Sequence, residues 1–405
     1  MGAAGLASIV ASYNSCAPQD EPVQEKAPKP ESPRMPTRKL GKTGVEVPVL
    51  SLGGTIDFVE NQVALEKCFQ SGVTYWDTAA DYAGENSELG IGKFIARHPD
   101  ARKKLFIATK ASDAVTVEDV EKALRASLKR LNTDYVDLYH IMDRIAGPGY
   151  VGHGLSDPAK LTPDLNDWVK DAKKRKLIRF FGFSTHQNMA KCLTAAARLD
   201  WIDVVMTKYN FQLLSDRELQ AAIDACHKAG IGLVAMKTQG LWPKSEQEKT
   251  AKLETHFLKQ GFTPGQAKIK LVLEDQRFSS ACVGMWDVKT ISSNVDAVLD
   301  KKALSEADRR VLTDYARSTG NGHCAGCAEI CGSALPNMPY VCEILRCLMY
   351  YNSYGQKDRA RQLFARIPQN SRITLLTLDY SPAETRCPQH LPIRQLIAEA
   401  AAKLA

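Results

Sequence analysis

From residue 38 onward the chain alternates short apolar runs with longer stretches of helical period. The runs are VPVLSLGG (47–54), VTYWDTA (73–79), LFIATK (105–110), YVDLYHIM (135–142), IRFFGFS (178–184), DVVM (203–206), IGLVAMK (231–237) and SSACVGM (279–285). Each has the length and composition of a buried strand. Between two of them, VEDVEKALRASLKRL puts Val120, Leu124, Leu128 and Leu131 on one helical face. Thr116 with Asp119, and Ser215 with Glu218, have the spacing of capping boxes. Thr263-Pro264 suits an N-cap followed by proline at the first helical position. Ahead of the first run, RKLGKTGVEVPVL reads as a hairpin that turns between Gly41 and Gly44.

Eight strand–helix units in succession predict an α/β fold of the (β/α)8 TIM-barrel type, typically ~250 residues. A doubly wound sheet is the alternative, but no G-x-G-x-x-G follows the first strand. In a barrel, functional groups stand at the C-terminal ends of the strands. That rule selects Asp77, Lys110, the 140–142 region, Ser184, Lys237 and Gly284. After residue 304 the alternation stops. SEADRRVLTDYARS predicts one amphipathic helix, and a cysteine-rich segment follows. The expected organisation is a leader and linker over 1–35, a barrel over 36–318 and a small helical, cysteine-rich domain over 319–405.

Composition adds limits. The 405 residues allow a large core and more than one domain, and 44% hydrophobic with 24% charged residues is ordinary for a soluble protein. The net charge of +7 is modest, and no dense Lys/Arg stretch is interleaved with aromatics, which argues against a nucleic-acid partner. KDAKKRK (170–176) reads as the solvated face of a helix. GAAGLASIVASYNSCA is too short to span a bilayer and is similar to the apolar part of an export signal, without a basic segment before it. Read as a signal, it implies an exported, periplasmic protein, with Cys16 as a lipid-attachment candidate; otherwise the protein is cytoplasmic. In neither case is a transmembrane helix expected in the mature chain. APQDEPVQEKAPKPESPRMP cannot bury enough apolar surface to fold and reads as a linker.

Asp77, Tyr82 and Lys110 form the first candidate constellation. Two of them end adjacent strands, and the third lies in the loop between. A tyrosine is a poor acid, with a pKa of ~10, and a nearby ammonium makes its proton easier to give up. An aspartate beside the lysine keeps the lysine charged. The trio suits protonation of a carbonyl oxygen while hydride arrives at carbon.

RKLGKTGVEVPVLSLGGT, YWDTAADYAGENSELGIGKFI, FIATKAS, LKRLNTDYVDLYHIMD, IRFFGFSTH and the ACVGM segment resemble, in order, the motifs of the aldo-keto reductases over residues 36–303. The resemblance implies NADP(H), or NAD(H), bound in a barrel that reduces small-molecule carbonyl substrates with an Asp-Tyr-Lys-His tetrad. Tyr82 would be the general acid, Lys110 would lower its pKa and Asp77 would hold Lys110. The family's histidine position is Met142 here. His140 stands two residues earlier, on the same face of the strand and ~6.6 Å deeper, and is the remaining tetrad candidate or else a core residue. Methionine donates no hydrogen bond, and losing one such donor costs about 3 kcal/mol of transition-state stabilisation. A slower enzyme, or a weakened barrel serving electron transfer or binding, is therefore expected as an alternative.

For the cofactor, the resemblance implies Gly53, Gly54 and Thr55 after the first strand, and Ser184 and Thr185 at the carboxamide. It also implies Gly284 and Asn294 on the adenine side. Met206 replaces the usual glutamine. Trp286 and Asp287 stand where an arginine often clamps the 2′-phosphate, with Lys289 as a substitute, and Lys237 is a further phosphate candidate.

Cys68, Cys192, Cys226 and Cys282 lie singly in apolar contexts and read as core. Cys324, Cys327 and Cys331 form C-x2-C-x3-C, and Cys387 precedes a proline. Four thiolates suit an iron–sulfur cluster, and zinc would accept them too. The tail resembles the ferredoxin-like 4Fe-4S segment of some bacterial aldo-keto reductases, including its helical insert YVCEILRCLMYYNSYGQKDRARQLFARIP. Some members carry a twin-arginine export signal. This implies a 4Fe-4S cluster and a redox partner protein. Cys342 and Cys347 read as core residues of the insert, and His323 as a loop residue.

Overall fold

The computed structural model describes all residues except 3–33, 113, 115, 142–154, 241–246, 320–323 and 353–354. Met142, Cys16, the leader and His323 lie outside the described residues. Arg34–Ala405 forms one compact unit.

A hairpin of β1 (Thr37–Lys39) and β2 (Glu46–Pro48) opens this unit. Gly44, at φ 74°, takes the left-handed conformation that closes its turn. Eight parallel strands follow: β3 (Leu50–Gly53), β4 (Tyr75–Asp77), β5 (Phe106–Ala111), β6 (Val136–Ile141), β7 (Ile178–Thr185), β8 (Val204–Lys208), β9 (Gly232–Met236) and β10 (Phe278–Gly284). They close in sequence order, with β10 pairing β3 through Ala281 and Leu50. The barrel expectation holds, and the doubly wound alternative falls.

Alternation within each strand sorts side chains between two cores. Trp76, Ile107, Tyr139, Phe181, Val205 and Leu233 face outward into the layer shared with the helices. Tyr75, Phe106, Leu138, Val204 and Val234 fill the barrel interior, where Leu40 and Val47 of the hairpin join them. Arg38 secures the hairpin by donating to the carbonyls of Leu273 and Phe278 at 2.6 and 2.7 Å.

Local signals were mostly literal. Thr116 and Asp119 form a capping box, as do Thr263 and Gln266 ahead of Pro264. Val120, Leu124, Leu128 and Leu131 are buried. The Ser215–Glu218 box does not form. Asp216 caps that helix by accepting from the Leu219 backbone, because its carboxylate sits one residue closer to the first turn. The basic 170–176 stretch lies on Pro163–Lys174 and just beyond it, where Lys173 reaches Asp203.

The helix Glu306–Thr319 packs Leu312 and Tyr315 against Phe257 and Leu271. Beyond it, the helices Ala328–Ala334, Val341–Asn352, Lys357–Ala365, Ser381–Arg386 and Ile393–Leu404 share a core of their own, including Ile344, Phe364 and Ile397, while the short helix Gln369–Ile373 buries no side chain. They and the barrel fall within the one unit Arg34–Ala405. Among the described residues, no helix is long and apolar enough to cross a membrane.

Gly182 on β7 has no room for a side chain: a Cβ there would fall 1.7 Å from the Val204 carbonyl oxygen of β8. Gly182→Ala is expected to destabilise the protein by about 3 kcal/mol or more, since only backbone movement could relieve the overlap. Chemical denaturation of the two proteins measures it.

Candidate active site

Register decides which groups meet. Lys110 on β5 lies opposite His140 on β6, and His140 opposite Gly182 on β7, so these positions share one layer of the barrel. Asp77 ends β4 on the neighbouring strand. The Lys110 ammonium donates to Asp77 Oδ2 at 2.7 Å and to the Thr78 carbonyl at 2.6 Å, with 1% and 4% of the Lys110 and Asp77 side chains exposed. Burial raises the Asp77 pKa against the pull of Lys110. Burial works against the Lys110 charge, but Asp77 outweighs it and the lysine stays firmly protonated.

Tyr82 lies in the loop after β4, and the Lys110 ammonium stands 4.8 Å from its ring centroid. The expected trio is assembled. Its electrostatics differ from expectation in one respect: burial pushes the Tyr82 phenol up to about 12, and Lys110 only partly offsets this. Low surrounding polarity penalises phenolate more than one paired ammonium can repay.

His140 is fully buried, and neither ring nitrogen has a hydrogen-bond partner among the described residues. Burial, then the Lys110 charge, hold its pKa well below the ordinary value, so the imidazole is neutral. It shares the Lys110 layer, and neither residue lines the cavity above. Of its two sequence readings, tetrad candidate or core residue, these surroundings are those of a core residue.

The barrel mouth holds a cavity of about 880 Å³, within the range of ligand sites. Asp77, Tyr82, Gly53, Gly54, Thr55, Lys237, Gly284, Lys289 and Asn294 all line it, as do Met206 and Trp286. Gly54 passes so close to Asp77 that a Cβ would stand 2.3 Å from the Asp77 carbonyl oxygen, which lays bare backbone along the wall. Lys237 holds a left-handed backbone, φ 57°, at the end of β9. Asn294 donates to the Gly284 carbonyl at 3.0 Å and accepts from Gln239, so its amide braces the loop after β10. Ser184 is buried with its hydroxyl unpartnered, whereas Thr185 donates its hydroxyl to the Gln187 carbonyl at 2.9 Å. Among the described residues the Ser184 hydroxyl has no partner and Thr185 braces its loop; neither is in the cavity lining.

Sequence reasoning missed three contributors. Tyr350, Gln356 and Arg359 of the C-terminal helices line the same cavity. Burial would raise the Tyr350 phenol, but Lys237, Arg359 and Arg346 outweigh it and bring it below the ordinary value. Their positions in YYNSYGQKDRAR carry no local signal of reaching the barrel. Lys208, at the end of β8, was also missed. It is 5% exposed and donates to the Cys324 carbonyl at 2.8 Å. Burial lowers its pKa to about 8.

That bond anchors the cysteine segment to the barrel. The Asn188 backbone donates to the Gly326 carbonyl at 2.7 Å, and Gly326, at φ 96°, fits against the His186 carbonyl where no Cβ could stand. Burial, with the charges of Cys324 and Cys387, raises Cys327 and Cys331 to about 12. Cys342 is buried, as expected of a core residue, and its sulfur also stands 3.3 Å from that of Cys324. Its hydrogen bond, with help from Lys208, lowers Cys324 to about 7. Among the described residues, no three His, Cys, Asp or Glu side chains are grouped so as to hold a metal ion.

The aldo/keto reductase family model matches residues 49–310. The chain belongs to that family. It is 26% identical over 242 residues to aldo-keto reductase AMT2 of Alternaria alternata, covering 49% of this chain and 63% of that one. The chain thus spans under two thirds of that relative's length. It is 25% identical over 356 residues to aldo-keto reductase yakc of Schizosaccharomyces pombe, whose name specifies NADP(+), covering 75% and 99%. Aldo-keto reductase AKR11C1 from Bacillus halodurans, in its holo form, shares the fold with a TM-score of 0.55 at 18% identity, covering 70% of this chain and 96% of that one.

Lys110→Met is expected to leave Asp77 buried without its partner and to cost about 3–5 kcal/mol of stability. Lys110→Met with Asp77→Leu should recover part of that loss. Denaturation midpoints of the two variants measure the difference.

Proposed function

We propose that this protein is an NAD(P)H-dependent oxidoreductase that interconverts a carbonyl compound and its alcohol. The observation that carries the reading is the Asp77–Lys110 pair beneath the Tyr82 ring at the floor of an 880 Å³ cavity. A bound nicotinamide would supply the hydride. Support for its fit comes from Gly53, Gly54 and Asn294 in the cavity lining and from Lys289, which brings a cation to the first turn of Val288–Leu299. Lys289 and Lys237 favour NADP(H) over NAD(H). Tyr82 would donate its proton to the carbonyl oxygen, leaving a phenolate stabilised by Lys110. Asp77 fixes the ammonium in place. His140, neutral and buried, lies opposite Lys110 on the next strand.

A second reading is a weakened barrel serving electron transfer or binding. It draws on the buried His140 and on the high Tyr82 pKa, both of which reduce proton donation.

We also propose that the tail is ferredoxin-like, with Cys324, Cys327, Cys331 and Cys387 holding a 4Fe-4S cluster that exchanges electrons with a partner protein. Support comes from the ligand spacing, C-x2-C-x3-C followed by a distant Cys-Pro. Binding would require Cys324 to exchange its contact with Cys342 for iron.

Tyr82→Phe is expected to lower kcat for an aromatic aldehyde by about 10²–10⁴-fold, with NADPH affinity, followed by fluorescence titration, little changed. Wild-type protein that binds NADPH but turns over no faster than Tyr82→Phe favours the second reading. Reduction consumes the protonated phenol, whose fraction falls as pH rises toward about 12. The kcat/KM profile should therefore stay flat through neutral pH and decline only in the alkaline range. Anaerobically purified protein should absorb broadly near ~400 nm and carry iron and sulfide. Colourless protein that takes up no iron on reconstitution would remove the cluster.

A further inference from the structure

The cavity is unbalanced in charge. Its lining includes Lys237, Lys289 and Arg359, while its carboxylate, Asp77, is already bound to Lys110. Lys237 and Lys289 come from the barrel and suit cofactor phosphates. Arg359 is different. It comes from the tail helix Lys357–Ala365, and its guanidinium lies 5.6 Å from the Tyr82 ring centroid and 5.1 Å from that of Tyr350. It therefore sits over the proposed proton donor.

Among the described residues Arg359 has no carboxylate partner; Asp358 beside it is placed against Arg361 instead, at 4.0 Å. Two aromatic rings steady a guanidinium by cation–π attraction without using its N–H groups. What remains is a planar, half-buried donor fork facing a cavity, the geometry that pairs with a carboxylate through two parallel hydrogen bonds. A charge withdrawn from water without a counterion is unfavourable, so the site gains most from an anionic ligand.

We propose that Arg359 forms a carboxylate subsite of this barrel, and that the substrates are aldehydes or ketones bearing a carboxylate: oxo acids, not neutral carbonyl compounds. This rests on the oxidoreductase reading for the reaction, but not for the binding. An anion held by Arg359 places the carbonyl group of the same molecule beside the Tyr82 hydroxyl. The tail then completes the substrate site of the barrel.

The test uses the full chain loaded with NADPH and two probes, 4-carboxybenzaldehyde and 4-nitrobenzaldehyde. The wild type should favour the carboxylate in kcat/KM, and R359Q should reduce that ratio by about tenfold or more, chiefly through KM. R359K, which keeps charge but loses the fork, should recover part of it. Calorimetric titration with benzoate reads the subsite without turnover: R359Q should bind it at least about tenfold more weakly. If neither aldehyde is reduced but benzoate binding depends on Arg359, the reductase reading falls and the subsite stands. A ratio unaltered by R359Q, benzoate binding equal in both proteins, or weakened NADPH binding in R359Q would each overturn the proposal.

Discussion

A lysine ammonium almost wholly removed from water must find an anion and acceptors within hydrogen-bond reach, or the strand that carries it is destabilised. In this protein Lys110 finds Asp77 and the Thr78 carbonyl, both supplied by β4 and the residue after it. The pair therefore sets the relative position of two strand ends. It also fixes the charge beneath Tyr82. That ammonium draws the Tyr82 pKa down but is overruled by burial, and it adds to the burial that already keeps the imidazole beside it neutral. Remove the pair and the mouth of the barrel loses its organising charge.

The tail is the second determinant of the mouth. Lys208 and the backbone of Asn188 hold the cysteine segment against the ends of β8 and β7. Gln187 adds a bond to Glu343 at 3.2 Å, buried on both sides. With the segment so anchored, the helices that follow carry Tyr350 and Arg359 over the cavity. A barrel rim is normally specialised by its own loops; here part of that work falls to residues far along the chain.

The legible parts of the sequence were those whose physics is local. A strand buried on both faces is an apolar run, and eight such runs marked eight barrel strands. Thr116 and Thr263 cap because the groups they need are three residues away. Asp77, Lys110 and Tyr82 could be grouped because strand ends of a barrel share one rim. What escaped was decided by packing. Whether Ser215 or Asp216 caps a helix depends on the angle at which the chain enters it. The Tyr82 pKa depends on how much surface the tail covers, which no spacing encodes. Cys342 looked like a helix core position and is one, yet its sulfur also meets Cys324. Arg359 lies in a stretch of surface-like residues, and only the tertiary path reveals what it overlies.

The seam of the barrel carries a consequence for how the chain is made. β3, among the first strands synthesised, has β10 as one of its two neighbours, and Leu50 waits for Ala281. Arg38 cannot reach the Phe278 carbonyl, nor Leu40 settle into a finished floor, until that last strand arrives. Contacts so distant in sequence are slow to form, and an unpaired edge is exposed meanwhile. On a ribosome the hairpin would remain an unfastened clasp through nearly the whole of barrel synthesis, with the cysteine segment emerging just after the strand that fastens it.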